Sequence, residues 1–436
     1  MFIGFVNHSS MICNRNNIVI TFRKMTIIGI LAYSLLALMM IFDAQMYVIK
    51  ILILSLLLLL LPHKLKISKS IVSLVGLLII YGCWGICIGL LKNNDSPFHN
   101  ITTTIIWPIL FTFYISQINK ERYFISLLRV TFCAHTLIIL YDLIFAFSII
   151  YGFEFPNIYP KYEIGFSLYE TTSRLNFGNL NILTFTVPVF YILFVAKFNF
   201  GVNRIIQFLV LISSLFLFIL SGRRSVMLLF LLLPIISLFL VPFMPKKVKS
   251  NVIKSFLIIA LLVITSVVYT LVFYPELVNG YWDTLVKAFD ADREPTKFAQ
   301  QKMLLSHFYS SPICGEGFGQ MFYEPFPGRM RWGIQFELQY HLKLAQTGII
   351  GFTLIMLSYW GTFFYSVYLS YKCQDIMFWA FAIGLFFILL LDATNPILGA
   401  FDWMLPLYFC WAKINMTDLM LRNNGNSKTG SYCCCI

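Results

Sequence analysis

The chain has 436 residues, of which 59% are hydrophobic and 12% charged, with a net charge of +13 and a mean hydropathy of +0.80. Soluble domains carry about 25% charged residues, so this composition excludes a soluble enzyme and predicts an all-α polytopic membrane protein, residues 1–436 forming a single integral membrane domain. The positive charge does not indicate nucleic-acid binding, because membrane proteins enrich their cytoplasmic loops in Lys and Arg.

Apolar runs long enough to cross about 30 Å of hydrocarbon recur along the chain. They predict about twelve transmembrane helices in the bilayer. The runs are Thr26–Asp43, Met46–Leu61, Ile71–Leu91, Ile101–Ile118, Phe124–Tyr151, Leu180–Ala196, Ile205–Leu220, Val226–Pro242, Val252–Phe273, Gly348–Ser370, Ile376–Leu391 and Ile397–Trp411.

Two polar segments, residues 152–179 and 275–346, interrupt the apolar pattern and must lie in water, since hydrocarbon cannot host them. If the N-terminus is cytoplasmic, the short loops rich in Lys fall on the cytoplasmic side, and Lys92, at the outer end of the third run, is an exception. This topology predicts both polar segments outside the cytoplasm, the longer one as a large loop. It places both termini in the cytoplasm, with residues 416–436 as a cytoplasmic tail.

Three arginines lie on the predicted outer side, against the positive-inside bias. Arg174 precedes the sixth run, and Arg223 and Arg224 occupy the turn between the seventh and eighth runs. A guanidinium group binds phosphate oxygens bidentately, so these residues predict a pyrophosphate site. Alternatively, the arginines extend to lipid headgroups or pair with outer acids such as Glu170.

The large loop contains a predicted helix and a glycine-rich turn. Residues 292–308 form an amphipathic pattern with Pro295 in the first turn. Gly315, Gly317 and Gly319 then follow within five residues, which permits close approach of the backbone to a ligand. A purely structural turn is the alternative.

The large loop ends at a possible acid–base pair. On a helix, Glu337 and His341 lie on one face at positions i and i+4, and either could accept a proton from a hydroxyl group. The alternative is an acid that favours the helix dipole beside a surface histidine. No CxxC pair, HExxH motif or acidic cluster of metal-binding spacing occurs, so neither metal nor cofactor is expected.

Taken in order, five stretches of the chain resemble the bacterial O-antigen polymerase (Wzy) family, within the wider group that includes O-antigen ligases. The resemblance covers about Arg174 to Trp403, slightly over half of the chain. The stretches are Arg174–Asn181, Ser221–Val226, Ser311–Gly319, Phe336–Gly351 and Asp392–Leu398.

The resemblance implies a metal-independent glycosyltransferase at the periplasmic face of the bacterial inner membrane. It would transfer a growing glycan from undecaprenyl pyrophosphate onto a new lipid-linked repeat unit. The outer arginines Arg174, Arg223 and Arg224 would then hold the pyrophosphate, and Glu337 or His341 would deprotonate the acceptor hydroxyl.

Glycan binding is assigned to Trp332 and Tyr340, which could stack on sugar faces, and to the backbone at Gly317 and Gly319. The implied partners are the lipid-linked oligosaccharide and the lipid bilayer, with a chain-length regulator and a flippase as further candidates. No cofactor and no nucleic acid are expected.

Two alternatives remain open. An O-antigen ligase would transfer the finished glycan to lipid A-core, but Phe336-Glu-Leu stands where a His-Asn pair is expected of a ligase. A flippase or other transporter predicts ionisable residues within the spans; only the fifth run carries several, at Arg129, His135 and Asp142. No long inverted repeat is evident.

Overall fold

The computed structural model describes most of the chain, and the described part is mostly helical, at 79%. The described residues are 15–42, 45–61, 65–118, 120–158, 166–169, 172–175, 180–221, 232–238, 241–244, 246–273, 295–324, 329–331, 336–394, 397–399 and 404–425.

The α-helices are numbered in chain order. They are α1 (Arg15–Ile41), α2 (Tyr47–Leu60), α3 (Lys69–Leu91), α4 (Trp107–Ile115), α5 (Glu121–Tyr151), α6 (Leu180–Val195), α7 (Arg204–Ser221), α8 (Lys246–Phe273), α9 (Pro295–Ser310), α10 (Gln339–Cys373), α11 (Ile376–Asp392) and α12 (Leu405–Gly425). A π-helix over Thr102–Ile106 leads into α4, a 3₁₀ turn covers Val241–Phe243, and residues 232–238 are also helical.

Two antiparallel hairpins lie in the polar segments, so the expected all-α class is correct for the apolar runs but not for these loops. Strand β1 (Phe166–Tyr169) pairs with β2 (Thr172–Leu175), and β3 (Phe322–Glu324) pairs with β4 (Arg329–Arg331). Such two-stranded ribbons need support from neighbouring elements. For the β3–β4 hairpin, Phe322 supplies it, since its ring is fully buried and contacts that of Phe336 with centroids 5.9 Å apart.

Among the described residues, three helices, α3, α5 and α10, are long and apolar enough to cross a membrane. Shorter apolar helices accompany them, namely Ile27–Ile41, Tyr47–Leu60, Thr102–Ile115, Leu180–Val195, Arg204–Phe218 and Ile376–Asp392. The helices coincide with predicted apolar runs because local hydrophobicity specifies both. The number of spans and the position of the loops relative to the bilayer stay predictions.

The last predicted span, Ile397–Trp411, is wrong in its boundaries. Helix α12 begins only at Leu405 and continues to Gly425. At the start of the predicted span, the backbone N–H of Leu398 donates to Asp392 Oδ1 at 2.8 Å, which holds Leu398 in a turn rather than a helix. Within α12, the Lys413 ammonium makes ion pairs with Glu121 and Asp375. These partners allow a charged residue to be buried in the helix beyond the predicted end of the span at Trp411.

Helix α10 is broken at Gly348, whose backbone (φ 60°, ψ −168°) is accessible essentially to glycine alone. In an unbroken helix the N–H groups of residues 349 and 350 would donate to the carbonyls of residues 345 and 346. Here Ile349 and Ile350 donate instead to Pro312 and Ile313, at 2.9 and 3.4 Å. The two helix carbonyls released by the break therefore need other donors.

The glycine-rich turn supplies those donors. Glu316 N–H donates to the carbonyl of residue 345 at 2.9 Å, and Gly317 N–H to that of residue 346 at 2.6 Å. The same turn is tied to α3, because Phe318 N–H donates to the Gly85 carbonyl at 2.9 Å. The turn between residues 311 and 319 thus completes the broken helix and joins α10 to α3.

The helix bundle has two chemically distinct ends. At the first, which we name the α9 end, Lys92 Nζ forms an ion pair with Glu316 Oε2 at 2.8 Å. This pair gives Lys92, an exception to the predicted charge bias, a nearby carboxylate. At the second, the Lys413 end, the buried Lys413 ammonium lies 3.0 Å from Glu121 and 2.7 Å from Asp375. The two ends are the opposite ends of α3 and α10, which run antiparallel.

Candidate functional site

A small polar cleft lies at the α9 end, between α3, the π-helix and the first turns of α10. Its volume is about 40 Å³, well below the roughly 300–1,000 Å³ of typical ligand pockets. It therefore has room for one polar group of a larger ligand rather than for a whole sugar. The residues that line it are Tyr81, Asn100, Thr103, Thr104, Gln339, Leu342, Lys343, Gln346, Ile355, Tyr359, Leu398 and Gly399.

Helix α10 contributes the chemistry of the polar cleft. Gln339, Leu342, Lys343 and Gln346 recur at i, i+3, i+4 and i+7, the spacing of one helix face. That face precedes the break at Gly348, so the break sets its direction relative to the apolar remainder of α10. Two amides and an ammonium group thereby meet where the polar segment joins an apolar helix.

A buried ion pair closes one wall of the cleft. Lys343 Nζ donates to Asp392 Oδ2, and both side chains are almost completely buried. The ammonium also lies 5.4 Å from the centre of the Tyr340 ring and 5.8 Å from that of Tyr359, a cation–π arrangement. Asp392 Oδ1 accepts the Leu398 N–H, so the carboxylate is satisfied on both oxygens. The pair neutralises its own charge and leaves the cleft polar but close to neutral.

Gln346 carries an unsatisfied donor. Its side chain lines the cleft, and among the described residues its buried Nε2 has no hydrogen-bond partner. An orphaned buried donor costs about 1–3 kcal/mol, a cost that a ligand oxygen would remove. This donor is the clearest indication that the polar cleft receives a hydrogen-bonding group.

The wall opposite α10 is formed by the π-helix. Thr103 and Thr104 both line the cleft, and their hydroxyls donate to the Asn100 carbonyl at 3.1 and 2.8 Å. Gly82 of α3 permits this approach, because a Cβ there would lie 2.5 Å from Thr104 Oγ1. π-Helical turns occur frequently at functional sites, and this one directs two hydroxyl-bearing residues at the cleft.

Next to this wall, the His99 ring packs edge-on against Phe318, with centroids 6.0 Å apart. Burial lowers the pKa of His99, and the hydrogen bond to the Ser96 carbonyl offsets part of that shift. The imidazole is therefore neutral at physiological pH and has a packing role. Within the described residues, no group of three or more His, Cys, Asp or Glu side chains could hold a metal ion.

The predicted helix face shared by Glu337 and His341 is not formed. Helix α10 begins at Gln339, so Glu337 precedes it. The Glu337 carboxylate lies 3.4 Å from Lys297 Nζ of α9 and is about half exposed, at 43%. Its backbone N–H donates to Gln300 Oε1 at 3.1 Å. Glu337 is therefore held at the surface by α9 and lies outside the helix that carries His341.

His341 does lie on α10, but it is not among the residues that line the polar cleft. Its Nδ1 is buried, and in the described part of the chain it has no hydrogen-bond partner. A buried ring nitrogen without a partner is rare in folded proteins, so His341 remains a candidate for proton transfer. Together with Gln346, it makes two unsatisfied groups on the first turns of α10.

Three of the four predicted glycan-binding residues have protein partners. The Tyr340 hydroxyl donates to the Leu389 carbonyl of α11 at 2.7 Å. Gly317 and Gly319 have φ near +80°, and a Cβ on either would collide with the backbone of Gly89 or Ser96. These glycines thus let the turn approach the backbone of its own protein closely, as the alternative of a purely structural turn requires.

The remaining predicted residues lie outside the described side chains. Arg223, Arg224 and Trp332 fall beyond the described residues altogether. Arg174 belongs to β2, where its backbone pairs with Ser167. Their assignment to pyrophosphate and glycan stays a prediction.

Residues that sequence reasoning missed include Lys343, Gln346 and Tyr81. One clue was present: Lys343 lies five residues before the apolar run Gly348–Ser370, and Asp392 directly follows the run Ile376–Leu391. Charges in such places are costly and need partners, but the two positions are 49 residues apart. Their pairing depends on how α10 packs against α11.

Compared with known protein families and with curated proteins, the chain has no match.

Proposed function

We propose that this membrane protein polymerises lipid-linked oligosaccharide repeat units, transferring a growing glycan from a lipid pyrophosphate to the acceptor hydroxyl of a new repeat. The observation that carries the proposal is the polar cleft with the unsatisfied Gln346 amide, placed where a polar segment meets apolar helices. A reaction between two membrane-anchored substrates requires such a site at the edge of the hydrocarbon. By the predicted topology, the α9 end faces the periplasm of a bacterial inner membrane.

The proposed reaction breaks the bond between the anomeric carbon of the donor glycan and its pyrophosphate oxygen. The acceptor hydroxyl forms the new glycosidic bond and loses its proton to a base, for which Glu337 and His341 are the candidates. Arg174, Arg223 and Arg224 would stabilise the pyrophosphate as it leaves. Gln346 would donate a hydrogen bond to a sugar hydroxyl or phosphate oxygen at the polar cleft.

The gel pattern of surface polysaccharide from a deletion strain tests the proposal. Core carrying a single repeat unit indicates a polymerase. Bare core with long lipid-linked polymer indicates a ligase, and bare core with single lipid-linked repeats left on the cytoplasmic side indicates a transporter. An unchanged ladder contradicts all three functions.

Complementation with variants connects the activity to the site. We expect Gln346→Leu to shorten or abolish the ladder, because Leu cannot donate a hydrogen bond to the ligand. Gln320→Leu is the matched control, since this half-buried glutamine donates to the Met321 carbonyl and lies outside the cleft. Equal ladders from the two variants, at equal protein levels, would remove the polar cleft from the mechanism.

The arginines provide an independent test of the leaving-group site. Arg223→Ala and Arg224→Ala should each abolish polymerisation, and lysine should restore it poorly, because an ammonium lacks the bidentate fork. Normal ladders from both alanine variants would favour anchoring at lipid headgroups instead.

A transporter is the second candidate, and one observation favours it. His135 of α5 is fully buried, where its ring nitrogens lie 2.7 Å from Thr186 Oγ1 of α6 and 3.2 Å from Ser214 Oγ of α7. Asp142, two turns further along α5, is fully buried as well. Ionisable groups inside a helix bundle are typical of substrate or proton pathways. The location of single lipid-linked repeats in the deletion strain decides between the two functions.

A further inference from the structure

A second and larger cleft lies at the Lys413 end, remote from the polar cleft. Its volume is about 410 Å³, within the roughly 300–1,000 Å³ of small-molecule pockets. It lies between the start of α3, the end of α10 and the second half of α12. The side chains that carry the argument are Lys69, Ser70, Tyr365, Lys372, Asp418 and Arg422. We name it the basic cleft.

Within the described residues, three cations of the basic cleft have no anionic partner. Lys69, Lys372 and Arg422 are exposed, and in the described part of the chain no carboxylate lies within the 4.0 Å of an ion pair from any of them. Elsewhere at this end, Lys413 is paired with two carboxylates. Three such cations around one opening indicate a site for an anion, and Lys and Arg are both used by proteins to bind phosphate.

The same cleft also contains a carboxylate, Asp418, that has no ion-pair partner among the described residues. Asp418 Oδ1 accepts the Tyr365 hydroxyl at 3.0 Å, and that hydroxyl in turn accepts from Ser70 Oγ at 3.1 Å. Asp418 Oδ2 is buried and has no hydrogen-bond donor among the described residues. Tyr365 and Ser70 hold the carboxylate in place, so Oδ2 presents a fixed acceptor. A ligand for this cleft must therefore bring a donor, best a cationic one, besides its phosphate.

The position of the basic cleft along α10 agrees with the headgroup layer of a bilayer. From Ile349, just beyond the break, to Lys372, α10 rises about 35 Å at roughly 1.5 Å per residue. The hydrocarbon core is about 30 Å thick. If the break at Gly348 lies at one edge of the hydrocarbon, Lys372 lies just beyond the other edge. Phosphate and amine groups of lipids occupy that layer.

We propose that the basic cleft binds a phospholipid headgroup that carries both a phosphate and a primary ammonium, the phosphoethanolamine chemistry. The phosphate contacts Lys69, Lys372 and Arg422, and the ammonium donates to Asp418 Oδ2. A choline headgroup has the same charges but no N–H to donate. A glycerol headgroup can donate from hydroxyls but leaves the carboxylate without a counter-charge.

The test measures binding of short-chain lipids with identical acyl chains to the full-length protein in detergent, by native mass spectrometry. The ethanolamine lipid should bind about tenfold more tightly than the choline lipid, because only its ammonium satisfies the buried carboxylate. Asp418→Asn should reduce that ratio to about twofold or less, since the variant keeps an acceptor for Tyr365 but loses the charge. Lys372→Ala should weaken both lipids by a similar factor.

Lys120→Ala is the matched control. Lys120 is exposed at the start of α5, at the same end of the bundle, and does not line the cleft. The Lys120→Ala variant should bind the ethanolamine lipid and the choline lipid with unchanged affinities. The melting temperature of each lipid-free variant shows whether it is folded.

Equal binding of the ethanolamine and choline lipids, or a preference that Asp418→Asn leaves intact in a folded protein, would overturn the proposal. Tighter binding of the glycerol lipid than of the ethanolamine lipid would also overturn it. A final arm uses soluble O-phosphoethanolamine. If it competes at the same concentration as the lipid, the chemistry stands and the ligand is a free phosphate compound rather than a bilayer lipid.

Discussion

The break in α10 offers the sharpest test of how this fold is held together. Replacing Gly348 by Ala puts a Cβ on a residue with φ 60° and ψ −168°, where it collides with the carbonyl oxygen of Ile313. The backbone strain alone is about 1–3 kcal/mol. Relieving the collision requires the turn at residues 311–319 to move away from α10.

That movement would weaken or break four backbone hydrogen bonds between the turn and the helix, with N···O distances from 2.6 to 3.4 Å. Each contributes a net of about 0.5–1.5 kcal/mol. If about half of this is lost in addition to the strain, Gly348→Ala destabilises the protein by about 2–6 kcal/mol. The chain could instead straighten α10, which restores two helical bonds but orphans the N–H groups of Glu316 and Gly317.

Thermal or denaturant unfolding in detergent, followed by tryptophan fluorescence, measures the effect. Trp84 is a suitable reporter, because its Nε1 donates to the Thr347 carbonyl at 3.0 Å, directly beside the break. Gly76→Ala is the control: this α3 glycine has nothing within 4 Å of an added Cβ, so Ala should be neutral or stabilise by up to about 1 kcal/mol. Equal unfolding curves for the Gly348 and Gly76 variants would refute the account of the break.

Three further predictions concern the ion pair, the base and the topology. Asp392→Asn should lower stability by about 3–5 kcal/mol, because it leaves a buried ammonium unpaired, and adding Lys343→Met should recover much of the loss in the same unfolding assay. Glu337→Gln should abolish the polysaccharide ladder while the protein still inserts, since an amide cannot accept the acceptor's proton; a normal ladder would move the base elsewhere. A periplasm-active reporter fused after Gly319 should be active and one fused after Pro245 inactive, and the opposite result would invert the topology.

The amino-acid sequence by itself determined the helical elements and their approximate positions. A run of apolar residues, or a Pro in the first turn of a helix, acts on its own neighbourhood, and α9 (Pro295–Ser310) lies where the sequence predicts a helix over residues 292–308. The glycine spacing likewise predicts a tight turn at residues 311–319, and Gly315, Gly317 and Gly319 all have positive φ. These features depend on a few consecutive residues.

Only the tertiary structure decided what those elements do for one another. The turn donates its N–H groups to the broken α10 rather than to a ligand, and Asp392 pairs with Lys343 across 49 residues. Glu337 bonds to α9 because α10 starts two residues later than the helical pattern implies. The sequence does not show which partner will satisfy a given polar group. That choice is made when the helices pack, because the low dielectric of the interior makes every unpaired group costly and the nearest partner depends on the packing.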